Sequence, residues 1–379
     1  MRPIPQTSPY TPRIMRLPLG TLVLLVACAL TAAACSIGKA AEPNSTTATT
    51  TTTTTAPTTT TAPTTTTAPT TTTTTEPPLI IGNTINGLPA DDQALETRRV
   101  IGVKIDNHPK ARPQSGLVEA DAVYEILVEA GRTRFIALYH QSDIDYLGPN
   151  RSGRPTDAAV MRPLEGALQV SGAQPWVQAT FRAKDVNVVY DTGATTYRIS
   201  SRSAPQNLYS STPAIRAWAD DRSWQDDHAP QLFLYGAEPT PFDGTAGRIE
   251  LDWSVGETVT WYWTGREYLR FNGAEPHTWI NVDGNKGQVR TDTVVVIKAH
   301  KYTASPPPGV CCSSVPALET VGSGDALVFH NGGVLGGTWE RGSDAEMIRL
   351  FDLDGDEIVL PPGKLWVSFF PDNRTVAWK

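Results

Sequence analysis

The chain has 379 residues, 40% of them hydrophobic and 19% charged, enough to bury one or two substantial cores. Its net charge is -7, and since residues 1–78 carry +2 (Arg2, Arg13, Arg16 and Lys39 against Glu42 and Glu76), the remainder carries -9. Binding to nucleic acid depends on cationic neutralisation of phosphates, so an acidic body excludes a nucleic-acid partner, and an anionic ligand would need a local basic pocket.

The chain opens with a targeting segment rather than a fold. Arg2, Arg13 and Arg16 make a positive start, Leu17–Ala34 is apolar and of signal-peptide length, and the run ends Thr31-Ala32-Ala33-Ala34-Cys35-Ser36. Small residues ahead of a cysteine suit lipoprotein processing. Residues 1–35 therefore read as a lipoprotein signal with Cys35 acylated, and Cys28, preceded by Leu25-Val26-Ala27, is the alternative. The expected place is the extracytoplasmic face of the cell membrane, with the membrane as partner through the lipid. Residues 36–97 read as a linker, because 45–75 are almost pure Thr with Ala-Pro interruptions and hold too few apolar groups to pack. At roughly 3 Å per residue, about 30 such residues reach roughly 90 Å.

Residues 98–240 read as an α/β or α+β domain. Val100–Ile105 predicts a buried strand, and two apolar runs, Ala122–Glu129 and Arg134–His140, flank Ala130-Gly131-Arg132 as in a hairpin. Extended, Asp121, Glu125 and Glu129 share one face, interrupted by Val123 and Leu127, with Arg132 and Arg134 close enough to compensate them. That face is either a structural ion-pair network or a ligand-facing wall. Next comes the loop Gly148-Pro149-Asn150-Arg151-Ser152-Gly153-Arg154, followed by Thr156 as an expected N-cap of a short helix that Pro163 ends or kinks. Two guanidiniums beside a helix start can hold a carboxylate or phosphate; equally, they can pair with Glu125, Glu129 or Asp157. Further on, Gly166–Ser171 and Asn187–Tyr190 predict strands, Pro175–Ala183 a helix, and Thr212 with Pro213 an N-cap and first turn of a helix to Asp220.

Residues 247–379 read as a mainly antiparallel β domain, a sandwich or open barrel. Strands are predicted over Arg248–Trp253, Thr258–Trp263, Glu267–Asn272, Thr293–His300, Ala326–His330, Met347–Asp352, Glu357–Leu360 and Leu365–Phe370. Turn pairs such as Thr264-Gly265, Asn331-Gly332 and Asp354-Gly355 join several of them.

The runs VKIDNHPKARPQSGL, ADAVYEILVEAGRTRF and GPNRSGR, with the later GSGDALVFHNGG, TWER and LPPGKLWVSFFP, resemble the YerB-like family of bacterial lipoproteins, whose two domains are both of unknown function. The resemblance spans nearly all of residues 98–372. Asn150 and Gly153 depart from it, standing where the family has an apolar residue and Ala. It implies a membrane-anchored extracytoplasmic protein and leaves the activity open.

The candidate ligand-binding surface is drawn from Asp106, Asn107, Arg112, Arg132, Arg134, Arg151, Arg154 and Asp157, with His108 beside it. Two functions compete. One is a non-catalytic binding module for a cell-wall glycan or an envelope protein. The other is a hydrolase of a wall polymer with Glu125 or Glu129 as acid or base and Arg151 and Arg154 as an anion clamp. Carboxylates about 5–10 Å apart across an open cleft would favour glycoside chemistry, and carboxylates sealed against arginines would remove it. The six histidines show no metal spacing, Asp352, Asp354, Asp356 and Glu357 lack the last ligand of a calcium loop, and no G-x-S-x-G occurs, so no metal or cofactor is expected. Trp253, Trp261, Trp263, Trp279, Trp339, Trp366 and Trp378 lie in the second domain as core or as sugar platforms. Adjacent Cys311 and Cys312 form either a vicinal disulfide or an intermolecular bond.

Overall fold

The computed structural model describes residues 85–90, 92, 95–224 and 231–379. The expected signal segment, both candidate acylation cysteines and most of the Thr-rich linker lie outside the described residues.

Five strands come from the first segment: β1 (Ile101–Asp106), β2 (Ala122–Leu127), β3 (Thr133–Tyr139), β4 (Ala167–Gln169) and β5 (Asn187–Val189). Three helices accompany them: α1 (Pro155–Met161), α2 (Pro175–Ala183) and α3 (Thr212–Asp220). Each begins with a proline in its first turn, where the missing N–H costs nothing. The second segment adds β6 (Arg248–Ser254), β7 (Glu257–Trp263), β8 (Tyr268–Asn272), β9 (Thr293–Ala299), β10 (Lys301–Ala304), β11 (Val315–Leu318), β12 (Gly322–His330), β13 (Gly333–Arg341), β14 (Arg349–Phe351), β15 (Leu365–Pro371) and β16 (Val376–Trp378). The first segment is thus mixed α/β with few helices, and the second is mostly antiparallel strands.

Among the described residues one sheet of eleven strands runs through both segments, with ten of them in the order β14-β13-β12-β9-β15-β2-β3-β1-β4-β5. The join is β15, which lies parallel to β2 on one side and to β9 on the other. Although the two segments follow one another along the chain, in space their strands share this sheet. A second antiparallel sheet, β8-β7-β6-β16, packs over it through Trp261 on Trp366 and Trp253 on Phe370, with ring centroids 5.1 and 4.9 Å apart.

Burial follows from this layering. β1 is covered on both faces and reads as a continuous apolar run broken by Lys104, whereas β6 alternates, with Ile249, Leu251 and Trp253 inward. Register places Ile105, Phe135, Glu125 and Ser368 side by side on one face of the central sheet. That face is roofed by the second sheet. Gly102 and Lys104 point the other way, toward α1, where Met161 occupies the space a Cβ on Gly102 would need.

Two expected caps shift by one or two residues. Arg154, not Thr156, is the N-cap of α1, and its N–H donates to Asp157 Oδ2 at 2.8 Å while Thr156 Oγ1 accepts from the Leu318 N–H. Ser211, not Thr212, caps α3 by accepting from the Ala214 N–H, because the Thr212 hydroxyl donates to Asp143.

Candidate functional site

The hairpin β2–β3 organises the region that the sequence singles out. Its turn, Glu129–Gly131, holds Ala130 and Gly131 at φ 59° and 70°, and Gly131 lies so close to Ser254 that an added Cβ would stand 2.2 Å from the Ser254 hydroxyl. The Ser254 hydroxyl donates to the Gly131 carbonyl. The turn is thereby pinned to the second sheet.

Beneath the hairpin a closed ring of six side chains joins the two segments. Arg270 Nη1 donates to His277 Nδ1 (2.7 Å), His277 Nε2 to Gln114 Oε1 (2.8 Å) and Gln114 Nε2 to Asn107 Oδ1 (3.3 Å). Asn107 Nδ2 then donates to Thr133 Oγ1 (2.8 Å), Thr133 Oγ1 to Glu125 Oε1 (2.7 Å), and Arg270 Nη2 closes on the same carboxylate oxygen (2.6 Å). Arginine is a donor only, so His277 accepts at Nδ1 and carries its proton on Nε2. Burial, with Arg270 and Arg112 alongside, pushes the His277 pKa well below the ordinary imidazole value, which agrees with a neutral ring. Trp366 Nε1 donates to the other Glu125 oxygen, and the Arg270 guanidinium lies 5.1 to 5.8 Å from the Phe135, Trp261 and Trp366 rings.

Glu125 is therefore no acid or base facing a ligand. It is fully buried, because its face of β2 is the one roofed by the second sheet, and its counter-ion is Arg270 rather than Arg132 or Arg134; Glu129 does not share that face but stands in the turn after the strand, paired with Arg154. Asn107 is committed to the ring and Arg112 to Asn107, through Nε to the side chain and Nη2 to the carbonyl. Asp157 is likewise sealed, paired at 2.6 Å with Lys104 with both side chains fully buried. Burial brings Lys104 down to about 8 although Asp157 opposes the shift.

The remaining candidates form a lattice nearer the surface. Asp106 takes Arg151 Nε at 3.0 Å and stands 4.0 Å from Arg134 Nε, while Arg134 Nη1 donates to the Ser152 carbonyl. Arg154 makes a two-pronged contact with Glu129, 2.9 and 2.5 Å. Burial pushes the Glu129 carboxyl up, but these bonds and the charge of Arg154 outweigh it and hold the group below its usual range. Arg132 pairs loosely with Glu257 at 3.5 Å. Burial and the field of Arg132 push His108 down, with Asp106 opposing. The Arg151 loop and the hairpin therefore do meet, through Arg154–Glu129 and Arg134–Ser152, and the Arg132 and Arg151 side chains are more exposed than those of Arg134 and Arg154. Among the residues that sequence reasoning missed are Lys104 and Arg270, each a lone cation inside an apolar strand, and Gln114, Thr133 and His277, which complete the ring.

Glu129 also stands at the lip of an open cleft of about 300 Å³. The opposite wall is the strand pair β10–β11, which brings Lys301, Thr303 and Ser314, and the floor includes Trp253 and Ser254. Trp253 Nε1 is buried without an acceptor in the protein, and Trp253 itself is only 2% exposed. Trp261, Trp339 and Trp366 are buried in the core, so none of these three offers a sugar platform. A separate cleft of about 410 Å³ is lined by Glu119, Asp145, Tyr146 and Tyr197.

The chain matches two family models in order. Residues 85–225 match "Protein of unknown function (DUF3048) N-terminal domain" and residues 249–367 match "Protein of unknown function (DUF3048) C-terminal domain". It is 24% identical over 298 residues to the Bacillus subtilis (strain 168) protein named "Putative lipoprotein YerB", covering 76% of this chain and 86% of that one. The crystal structure of YerB protein from Bacillus subtilis superposes with a TM-score of 0.67 at 22% identity, covering 78% of this chain and 99% of that chain, a likeness of fold. Among the described residues no helix is long and apolar enough to cross a membrane. With both models matched in sequence order, the chain belongs to the YerB-like family of proteins built from these two domains of unknown function.

Proposed function

We propose that the protein is a lipid-anchored envelope protein that binds a polysaccharide of the cell wall, without catalysis, in the cleft between Glu129 and the β10–β11 strand pair. The lipoprotein signal of the sequence and the name of the Bacillus subtilis relative support the anchor. One observation carries the binding reading: a single cleft offers three hydroxyls (Ser254, Thr303, Ser314), one carboxylate (Glu129) and one ammonium (Lys301). Such a mixture of few charges and several hydroxyls suits a polyhydroxylated ligand. Lys301 would meet an acidic substituent of the same polymer.

A hydrolase is disfavoured on chemical grounds. Glycoside cleavage uses two carboxyl groups, one of them held protonated, and Glu129 is the only carboxylate among the residues lining this cleft. Its proton affinity is lowered by Arg154, the opposite of what a general acid needs. Calorimetric titration of soluble wall glycan fragments into the full chain tests the reading, with Glu129→Gln and Lys301→Ala each expected to weaken binding about tenfold. Equal affinity of both variants and the wild type, or release of reducing ends on incubation, would overturn it.

A further inference from the structure

The β10–β11 pair carries at its tip a sequence feature that the binding cleft does not use. Cys311 and Cys312 are adjacent in the loop 305–314, and both are exposed. The base of the loop is held by a hydrogen bond between the Ser305 and Ser314 hydroxyls at 2.8 Å. In an extended chain, neighbouring side chains point to opposite sides. Here Cys312 is held at φ 97°, a conformation non-glycine residues rarely adopt, and the two sulfur atoms lie 2.7 Å apart on one side of the backbone. Backbone outliers of this kind persist where the local structure over-determines them, and they cluster at sites that use the geometry.

We propose that Cys311 and Cys312 form a redox-active dithiol that closes to a disulfide across their shared peptide bond on exposure to an oxidant of the disulfide class. One thiolate attacks a sulfur of the oxidant disulfide and expels its other half as a thiolate. The neighbouring cysteine thiolate then attacks the mixed disulfide and expels the second half. The pair loses two electrons and two protons, and the oxidant leaves as two thiols. Adjacent Cα atoms stand closer than in an ordinary bridge, so the closed ring is reopened by mild reductant. The modification sits on the strand pair that walls the cleft beside Glu129 on one side and, through Tyr302 and Leu318, a second cleft beside α1 on the other.

The test uses the full chain in detergent, incubated with glutathione disulfide, alkylated with iodoacetamide and digested with trypsin. Both cysteines fall in the single peptide from Tyr302 to Arg341. The expected product is that peptide lighter by two hydrogens and carrying no alkyl group, which takes two alkyl groups after mild reduction. Cys311→Ser and Cys312→Ser should each instead retain one glutathione. A wild-type peptide that carries glutathione, links two chains, or stays an alkylatable dithiol overturns the proposal.

Discussion

Arg270 Nη2 donates to Glu125 Oε1 at 2.6 Å across 145 residues of chain, with both side chains fully buried. The contact ties the second sheet to the hairpin that carries Glu129. It also holds two charges in a place where either alone would be costly to keep. Removing one member leaves the other uncompensated, so Glu125→Leu and Arg270→Met are each expected to destabilise by about 3–5 kcal/mol. Replacing both at once, Glu125→Leu with Arg270→Met, should recover most of that loss, because an apolar pair of similar volume leaves no buried charge. Urea unfolding of the three variants and the wild type measures it, and additive losses would contradict the pairing.

His277 makes stability depend on pH with a definite sign. Its folded-state pKa lies well below 6.5, so as the pH falls through 6.5 the unfolded chain binds a proton that the folded chain refuses. Its contribution is fully present above pH 6.5 and is lost progressively below it, at up to about 1.4 kcal/mol per pH unit. His277→Gln keeps one acceptor and one donor and removes the titration, so its stability should fall less steeply between pH 6.5 and 5. His330, which burial pulls down to about 4, contributes the same slope in both proteins and cancels from the comparison. Parallel curves of unfolding free energy against pH would show that His277 is not the group responsible.

The local part of this fold was legible because the rules that govern it are local. Prolines in the first turn marked α2 and α3, Thr156 marked the neighbourhood of the start of α1, and two apolar runs flanking the short loop at Gly131 marked the hairpin. What failed was long-range or steric. The strand β13, for which no strand was expected, runs straight through Gly336 and Gly337, and Gly337 lies so near the Phe351 carbonyl that a Cβ would stand 2.1 Å from it. There glycine serves the close approach of β14 rather than a turn. The partner of Glu125 was equally invisible, since spacing along the chain says nothing about which of many arginines crosses from a second sheet. Arg151 and Arg154 were read as a clamp or as partners of nearby carboxylates; Arg154 took Glu129, and Arg151 took Asp106.

The arginine loop offers a last test, at the position where the chain departs from the family resemblance. Gly153 carries no positive φ, so alanine fits its backbone, and the freedom lost by the unfolded chain would by itself stabilise by about 0.4–1 kcal/mol. The space is the obstacle. A Cβ at Gly153 would lie 2.8 Å from Phe181 Cζ and 2.9 Å from Cε2, and Phe181 is fixed in the core between α2 and the loop. Overpacking of that kind costs about 1–3 kcal/mol, so Gly153→Ala alone should destabilise. Phe181→Leu alone leaves a void and should also destabilise, but in the Gly153→Ala, Phe181→Leu double variant the new methyl group moves toward the vacated ring. The double variant is therefore expected to be more stable than the sum of the single losses by at least about 1 kcal/mol, read from urea midpoints. Strict additivity would mean that the loop yields without disturbing Phe181, and that the glycine is not there to admit the ring.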